Sequence, residues 1–468
     1  MPARTSAAIT PSAARLTESL RDIGYDFPAA VADVADNSIM AGAGRVDVVI
    51  EFDGPDSFVS VADDGCGMTA NGLVEAFRYG SRRVYARGDL GRYGLGLKTA
   101  SLSQCRSVTV VTRSSMPAGR GSARMLDLDL IAEWDEWLVV DPVRDRAMDR
   151  AWEWLGDSAG TVVIWRKLDR VLPEKQPHGG WGRRRLEGMA AKTAEHLGIV
   201  FHRYLEGTAS QNLVITVNGE KVQPWNPFAP GEPARIELAP QRFEVSVGTF
   251  AGKAALQRYV LPSRDQFSSP AEFERLSGPM NWNRQQGLYI FRAGRLVQWG
   301  GWNGIRGIDE HTKLARAALD FDTDLDSVFN INVAKMRVTI PPQLRQMLER
   351  PINELCGRAD DIYRKSSRHA ADADHHGDNG IQPAATGIGA AGRPAADSAG
   401  LARRTRRDHL SQPVPARRVH RQPPGRPGGR PLRHRHGVPG RPRPQPSGSR
   451  RDLPAHHRSR SALACRRP

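Results

Sequence analysis

Asp33-Val34-Ala35-Asp36-Asn37-Ser38 is the stretch from which the rest of the chain can be read. On a helix, Asp33 and Asn37 stand four residues apart, so a carboxylate and a carboxamide leave one face a turn apart. That pair suits a Mg-nucleotide. The amide oxygen can ligate a hard cation, and a carboxylate left off the metal can orient and deprotonate a water aimed at a γ-phosphate. The spacing alone also fits a solvated helix face, so the glycine clusters downstream carry the decision.

Outward from this stretch the pattern is helix first, strands after. Residues 12–22 read as a short helix stopping near Gly24. Asp26 offers an N-cap and Pro28 a first-turn position for the helix that carries Asp33 and Asn37. Past Gly42 and Gly44, Val46, Val48, Ile50 and Phe52 alternate onto one face, Gly54-Pro55 marks a turn, and residues 57–62 form a second strand. A helix followed by a hairpin-like pair is an α+β beginning and does not match the β-α-β alternation of a dinucleotide fold.

The second strand ends in Asp63-Asp64-Gly65-Cys66-Gly67-Met68. Glycines beside a carboxylate let the backbone approach a flat ligand, and the Asp can accept the exocyclic amine of adenine. A tight turn before a helix starting at Thr69 reads the same residues without a ligand. Residues 80–92 are polar and glycine-punctuated, a loop of lid length. Gly91-Arg92-Tyr93-Gly94-Leu95-Gly96-Leu97-Lys98-Thr99 then opens a helix, and a glycine-rich turn feeding a helix N-terminus offers amides to phosphates. It is not a Walker A, because Leu97 stands where that motif needs its lysine, and this stretch holds no G-x-G-x-x-G. Residues 106–113, 123–130 and 160–165 read as further strands.

Charge separates body from tail. Residues 366–468 hold 21 Arg, no Lys and 6 Asp, which accounts for +15 of the chain's net +16. The remaining 365 residues are nearly neutral, so whole-chain basicity is no argument for a nucleic-acid surface on the body. Cys66, Cys105, Cys356 and Cys465 show no C-x-x-C spacing, which fits a reducing compartment without structural zinc. No apolar leader core opens the chain and no run of eighteen apolar residues occurs, so a soluble, cytoplasmic protein without a membrane partner is expected.

These motifs, in this order, resemble the GHKL ATPase superfamily of gyrase B subunits, ninety-kilodalton heat-shock chaperones, histidine kinases, MutL proteins and MORC ATPases. The resemblance implies a Bergerat-type α/β sandwich over residues 1–198. It implies Asn37 as the Mg²⁺ ligand and Asp33 as the catalytic carboxylate, the general base, where many members carry the longer Glu. Asp63 with Gly65, Gly67 and Met68 would take the adenine, supported by Thr161 of Gly160-Thr161. Gly91, Gly94, Leu95, Gly96, Leu97, Lys98 and Thr99 would form the lid and phosphate motif.

The second half carries the comparison further. A helix near residues 183–197 is followed by a strand at 213–217, an Asn218-Gly219 turn, and a second strand-turn-strand over 286–297. This resembles the transducer domain of gyrase, MutL and MORC proteins, expected here over residues 199–365. Lys335, in Asn332-Val333-Ala334-Lys335, is similar to MutL's γ-phosphate lysine in a motif two residues shorter, and reads equally as an exposed strand-end lysine. The Phe201–Glu206 and Trp225–Phe228 phrases look most like MORC and its bacterial relatives. From residue 366 the composition is Pro, Gly, Arg, His, Ala and Ser without hydrophobic periodicity, so a disordered tail is expected. Its Arg clusters could bind phosphate backbones. An out-of-frame reading of a GC-rich gene would look the same.

The function implied is Mg-dependent ATP hydrolysis driving a clamp cycle, with a homodimer formed on ATP binding and DNA or a restriction-associated process as client. Phosphotransfer is an alternative, although a sensor kinase carries a phosphoacceptor His ahead of its N-box and no His occurs in residues 1–37. A nucleotide-binding scaffold with little turnover is the third reading.

Overall fold

The first helix, α1 (Ala13–Leu20), ends through a 3-10 turn at Gly24. In the computed structural model, which describes residues 10–80, 94–116, 120–173, 180–247, 250–331 and 338–377, the chain restarts at once. The Asp26 carboxylate accepts the Ala29 amide at 2.8 Å and Pro28 sits in the first turn, so α2 (Phe27–Met40) begins where its N-cap requires. Then come β1 (Arg45–Glu51), β2 (Phe58–Asp63), α3 (Ala70–Phe77), α4 (Gly96–Leu102), β3 (Ser107–Arg113), β4 (Ser122–Asp127), α5 (Leu128–Trp134), α6 (Arg146–Leu155), β5 (Gly160–Arg166), α7 (Gly180–Val200), α8 (His202–Leu205), β6 (Val214–Val217) and β7 (Glu220–Lys221). All seven strands form one sheet in the order β4-β3-β5-β2-β1-β6-β7, antiparallel except for the β1–β6 pair.

Strand alternation gives this sheet two apolar faces. Val46, Val48 and Ile50, with Val163, Trp165, Ile215 and Val217, pack under α2, α4 and α7. The intervening Ala62, Val111, Val162 and Ile164 face α6 through Ala147, Met148, Ala151 and Leu155. Trp165 joins the helical layer to the sheet: it is fully buried, its ring meets Phe27 edge-on at 5.9 Å, and its Nε1 donates to Ser101 Oγ at 2.8 Å. Burying a side chain of this kind stabilises the fold by roughly 1.5–3 kcal/mol. Alanines at 29, 30, 32 and 35 keep α2 slim, and it is packed against both α4 and α7 as the central helix of the layer.

The second sheet begins later than residue 198, because β6 runs beside β1 in parallel register from Arg45↔Val214 to Val48↔Val217. The change of sheet falls between Lys221 and Ile236, which only a long-range pairing determines. Here β8 (Ile236–Val247) and β9 (Phe250–Val260) form a hairpin, α9 (Pro270–Leu276) and α10 (Trp282–Gln285) follow, and β10 (Gly287–Arg292), β11 (Arg295–Trp299) and β12 (Ala315–Phe321) complete the order β11-β10-β12-β9-β8. One face is covered by α11 (Pro342–Gly377), whose Leu344, Leu348, Ile352, Leu355 and Ala359 form a stripe at helical spacing. The other face carries Tyr289, Phe291, Leu296 and Ala318 against Ile199 of α7. That helix therefore serves both sheets.

The backbone of α11 continues to Gly377, past the expected start of the tail at residue 366. Residues 378–468, residues 81–93, which hold Gly91 and all of the expected lid except Gly80, and Lys335 lie outside the described residues. Among the described residues, no helix is long and apolar enough to cross a membrane.

Candidate nucleotide site

Helix α2 is buried along almost its whole length, and Asn37 is the exposed side chain on it. Its Nδ2 donates to the Asp33 backbone carbonyl at 3.2 Å, and Oδ1 is the atom of this exposed amide with the chemistry to ligate a hard cation. One turn earlier Asp33 is 1% exposed, and the Tyr25 hydroxyl donates to its Oδ2 at 3.0 Å. Burial, reinforced by this carboxylate, raises the Tyr25 hydroxyl far above its ordinary pKa, so Tyr25 stays a donor at any working pH.

The first residue of α4 lies directly against the acid. A Cβ built on Gly96 would stand 2.5 Å from Asp33 Oδ2, so only glycine admits this approach. Leu95, before it, accepts the Lys98 and Thr99 amides at 3.0 and 2.9 Å, and Gly94 has φ of 63°. Thr99 is buried, with Oγ1 on the Leu95 carbonyl at 3.0 Å, and Leu97 packs on the main core.

The Lys98 side chain runs elsewhere. It is 3% exposed, and its Nζ donates to the carbonyls of Ala76 (2.8 Å), Arg78 (2.9 Å) and Gly94. Ala76 lies in the last turn of α3, so the ammonium satisfies carbonyls at a helix C-terminus. Burial pulls its pKa down to about 8, opposed by Glu75.

At the other end of α2, Ser38 Oγ donates to Asp63 Oδ2 at 2.9 Å, and the Gly65 amide donates to Asp63 Oδ1 at 3.0 Å. Burial pushes the Asp63 carboxyl up to about 6 against these two donors. Asp63 is the Cα partner of Thr161 in the β2–β5 register. Thr112 on β3 completes the corner: its hydroxyl donates to the Gly160 carbonyl at 2.8 Å, accepts the Met68 amide at 2.9 Å, and lies 3.2 Å from Thr161 Oγ1. Gly67, at φ of 61°, brings the loop so close to β3 that a Cβ would stand 1.9 Å from the Arg113 carbonyl. Asp64 is structural, accepting the Gly44 and Arg45 amides.

Around one helix the structure thus assembles Asp33, Asn37, Asp63, Gly65, Gly96 and, through strand register, Thr161. The arrangement suits a flat, amine-bearing group at Asp63 and an anionic group with a hard cation beside Asn37. Sequence reasoning assigns no role to Tyr25, Ser38 or Thr112. Ser38 is nevertheless legible as a helix serine facing away from Asn37, whereas Tyr25 and Thr112 carry no local signal. A groove along Arg113–Met116, Asp157 and Ala159 includes none of the residues on α2.

Residues 25–161 match the family of histidine kinase-, DNA gyrase B- and HSP90-like ATPases. Similar proteins include the DNA mismatch repair protein MutL of Paramagnetospirillum magneticum, 36% identical over 101 residues, which is 21% of this chain and 16% of that protein. MutL of Pelotomaculum thermopropionicum is 39% identical over 84 residues (18% and 14%), and that of Limosilactobacillus reuteri 34% over 118 residues (25% and 17%). The chain spans about a sixth of the length of these relatives.

Proposed function

We propose, from the premise that this chain belongs to the GHKL ATPase superfamily through residues 25–161, that it binds Mg-ATP around α2 and hydrolyses it. The observation that carries the reading is that α2 touches both glycine loops: Ser38 holds Asp63 at one end, and Asp33 lies against Gly96 at the other. Asp63 accepts the adenine amine, with Thr112 and Thr161 beside it. Asp33, its rotamer held by Tyr25, orients the attacking water and takes its proton. The amides of Gly96 and Leu97 open α4 toward the phosphates.

Among the described residues, no group of three or more His, Cys, Asp or Glu is placed to hold a metal unaided. An exposed carboxamide fits a Mg²⁺ that arrives on the substrate, bound mainly through phosphates and water with Asn37 Oδ1 as a protein ligand. When bound, the ion neutralises charge developing on the phosphates.

By analogy with the mismatch-repair relatives, the ATP cycle drives homodimer closure, with Lys335 reaching the γ-phosphate and DNA as client. The MORC-like and restriction-associated setting is a finer form of the same reading. Low turnover is the expected regime, because Asp33 is one methylene shorter than Glu and already holds the Tyr25 hydroxyl.

The test is phosphate release from γ-labelled ATP by the full chain, with and without duplex DNA. Asp33→Ala is expected to abolish release while keeping ATP bound, and Asn37→Ala to weaken Mg-dependent binding as well. DNA is expected to raise the rate. Label retained on the protein would overturn hydrolysis in favour of phosphotransfer, and no binding at millimolar Mg-ATP would overturn the site itself.

A further inference from the structure

An ion pair reaches from the second sheet into the helix that carries the candidate chemistry. Arg295, first residue of β11, places its Nε 2.7 Å from Asp36 Oδ1, with the two side chains 4% and 1% exposed. Asp36 lies between Asp33 and Asn37 in sequence, and its side chain leaves α2 about 100° from that of Asn37. The pair therefore grips the face of α2 that looks toward the second sheet, while Asn37 faces outward.

The hairpin that carries Arg295 is itself fixed. Tyr204 on α8 donates its hydroxyl to the Ala293 carbonyl at 2.9 Å, in the turn between β10 and β11, and the Arg295 guanidinium lies 5.8 Å from the Phe201 ring centre. Arg203 on α8 pairs with Asp320 on β12, the strand parallel to β10. A change in the pose of this hairpin is therefore passed to α2 by a directional contact between two buried charges, not by apolar packing, which has no preferred angle.

We infer that Arg295 is a positioning residue for ATP turnover: through Asp36 it sets the rotation of α2, and so the placement of Asp33 and Asn37, according to the state of the second sheet. This rests on the ATPase reading above. Magnitude follows from helix geometry. Side-chain tips lie about 5–6 Å from a helix axis, so a rotation of about 10° moves the Asp33 carboxylate by ~1 Å, and a misplacement of that size costs on the order of 100-fold in rate. Binding is affected less, because Asp63 is carried by β2 and held by the Gly65 amide of its own loop, so that only its Ser38 contact moves with α2.

The experiment measures kcat, ADP affinity and melting temperature for the full chain and for Arg295→Gln, Arg295→Lys and the apolar double variant Asp36→Leu/Arg295→Met. Arg295→Gln is expected to lower kcat by about 10–100-fold while ADP affinity changes by less than about threefold, with Arg295→Lys intermediate. The double variant removes both buried charges and so should recover melting temperature, but not kcat. Recovery of kcat in the double variant, or a folded Arg295→Gln with unchanged kcat, overturns the inference while leaving the ATPase reading standing. A wild-type chain that neither binds ADP nor releases phosphate overturns that reading, and the inference with it.

Discussion

Asp63→Asn should make the unliganded protein more stable at neutral pH while weakening the adenine contact proposed for it. Burial raises this carboxyl from 3.8 to about 6. A carboxyl whose folded pKa is raised binds its proton more tightly when folded, so its contribution favours folding below the unfolded value and is lost as pH climbs through about 6. At 1.36 kcal/mol per unit, the ionised group weighs against the fold by about 3 kcal/mol above pH 7. Asparagine carries no charge but can accept only one of the two donors now served by Ser38 Oγ and Gly65 N, a loss of roughly 1–2 kcal/mol. The net expectation is a gain of ~1–2 kcal/mol at pH 7.5 that vanishes at about pH 5 and reverses below it, where the lost hydrogen bond alone remains.

The assay is urea unfolding of both proteins at half-unit steps from pH 4 to 8, plotted as the difference between them. The difference is the needed readout because His196 and His202, both pulled down to about 4 by burial, act oppositely in the same window and would mask the slope in wild type alone. Two results would refute the reasoning: a pH-independent difference, or an Asn variant less stable at pH 8 than at pH 5 relative to wild type. Retention of ATP affinity by the variant would separately refute the assignment of Asp63 to adenine.

Gly96→Ala puts a methyl 2.5 Å from Asp33 Oδ2 and should cut phosphate release at least about tenfold by moving the acid, read against an unchanged far-ultraviolet spectrum. Gly67→Ala, which combines a positive φ with a clash at the Arg113 carbonyl, is expected to lower stability by at least ~1–3 kcal/mol, measured by thermal melting. Lys98→Met releases the carbonyls at the end of α3 and should speed hydrogen exchange across Ala70–Phe77; weakened ATP binding with unchanged exchange would place the ammonium at the phosphates instead. Asp326→Asn removes the charge that the buried Arg292 guanidinium meets at 2.6 Å and should destabilise the second sheet by about 1–3 kcal/mol, read by chemical denaturation.

Much of the local structure was legible because each signal is short-range. Asp26 caps α2 and Thr69 caps α3, as the side-chain oxygens before each helix imply. Gly54-Pro55 turns β1 into β2, and the Val46-Val48-Ile50 alternation lies on the core face. The two glycine loops and the acid-amide pair were legible for the same reason. Helices α5 and α6 were not singled out, although Ala147, Met148, Ala151 and Leu155 recur at helical spacing behind the Asp145 cap; only the tertiary structure shows the sheet face they cover.

Sequence alone therefore determined the composition of the candidate site: an acid and an amide one helical turn apart, an aspartate ending a strand just before two glycines, and a glycine turn opening a helix. Each is set within a few residues by backbone geometry, which neighbouring side chains dictate. Only the tertiary structure decided that Ser38 meets Asp63, that Gly96 presses on Asp33, that Lys98 turns to the end of α3, and that Arg295 reaches Asp36. Those contacts join residues between 20 and 259 positions apart. No local periodicity encodes them, because they depend on strand register and on which helix face the packed layers leave for each side chain.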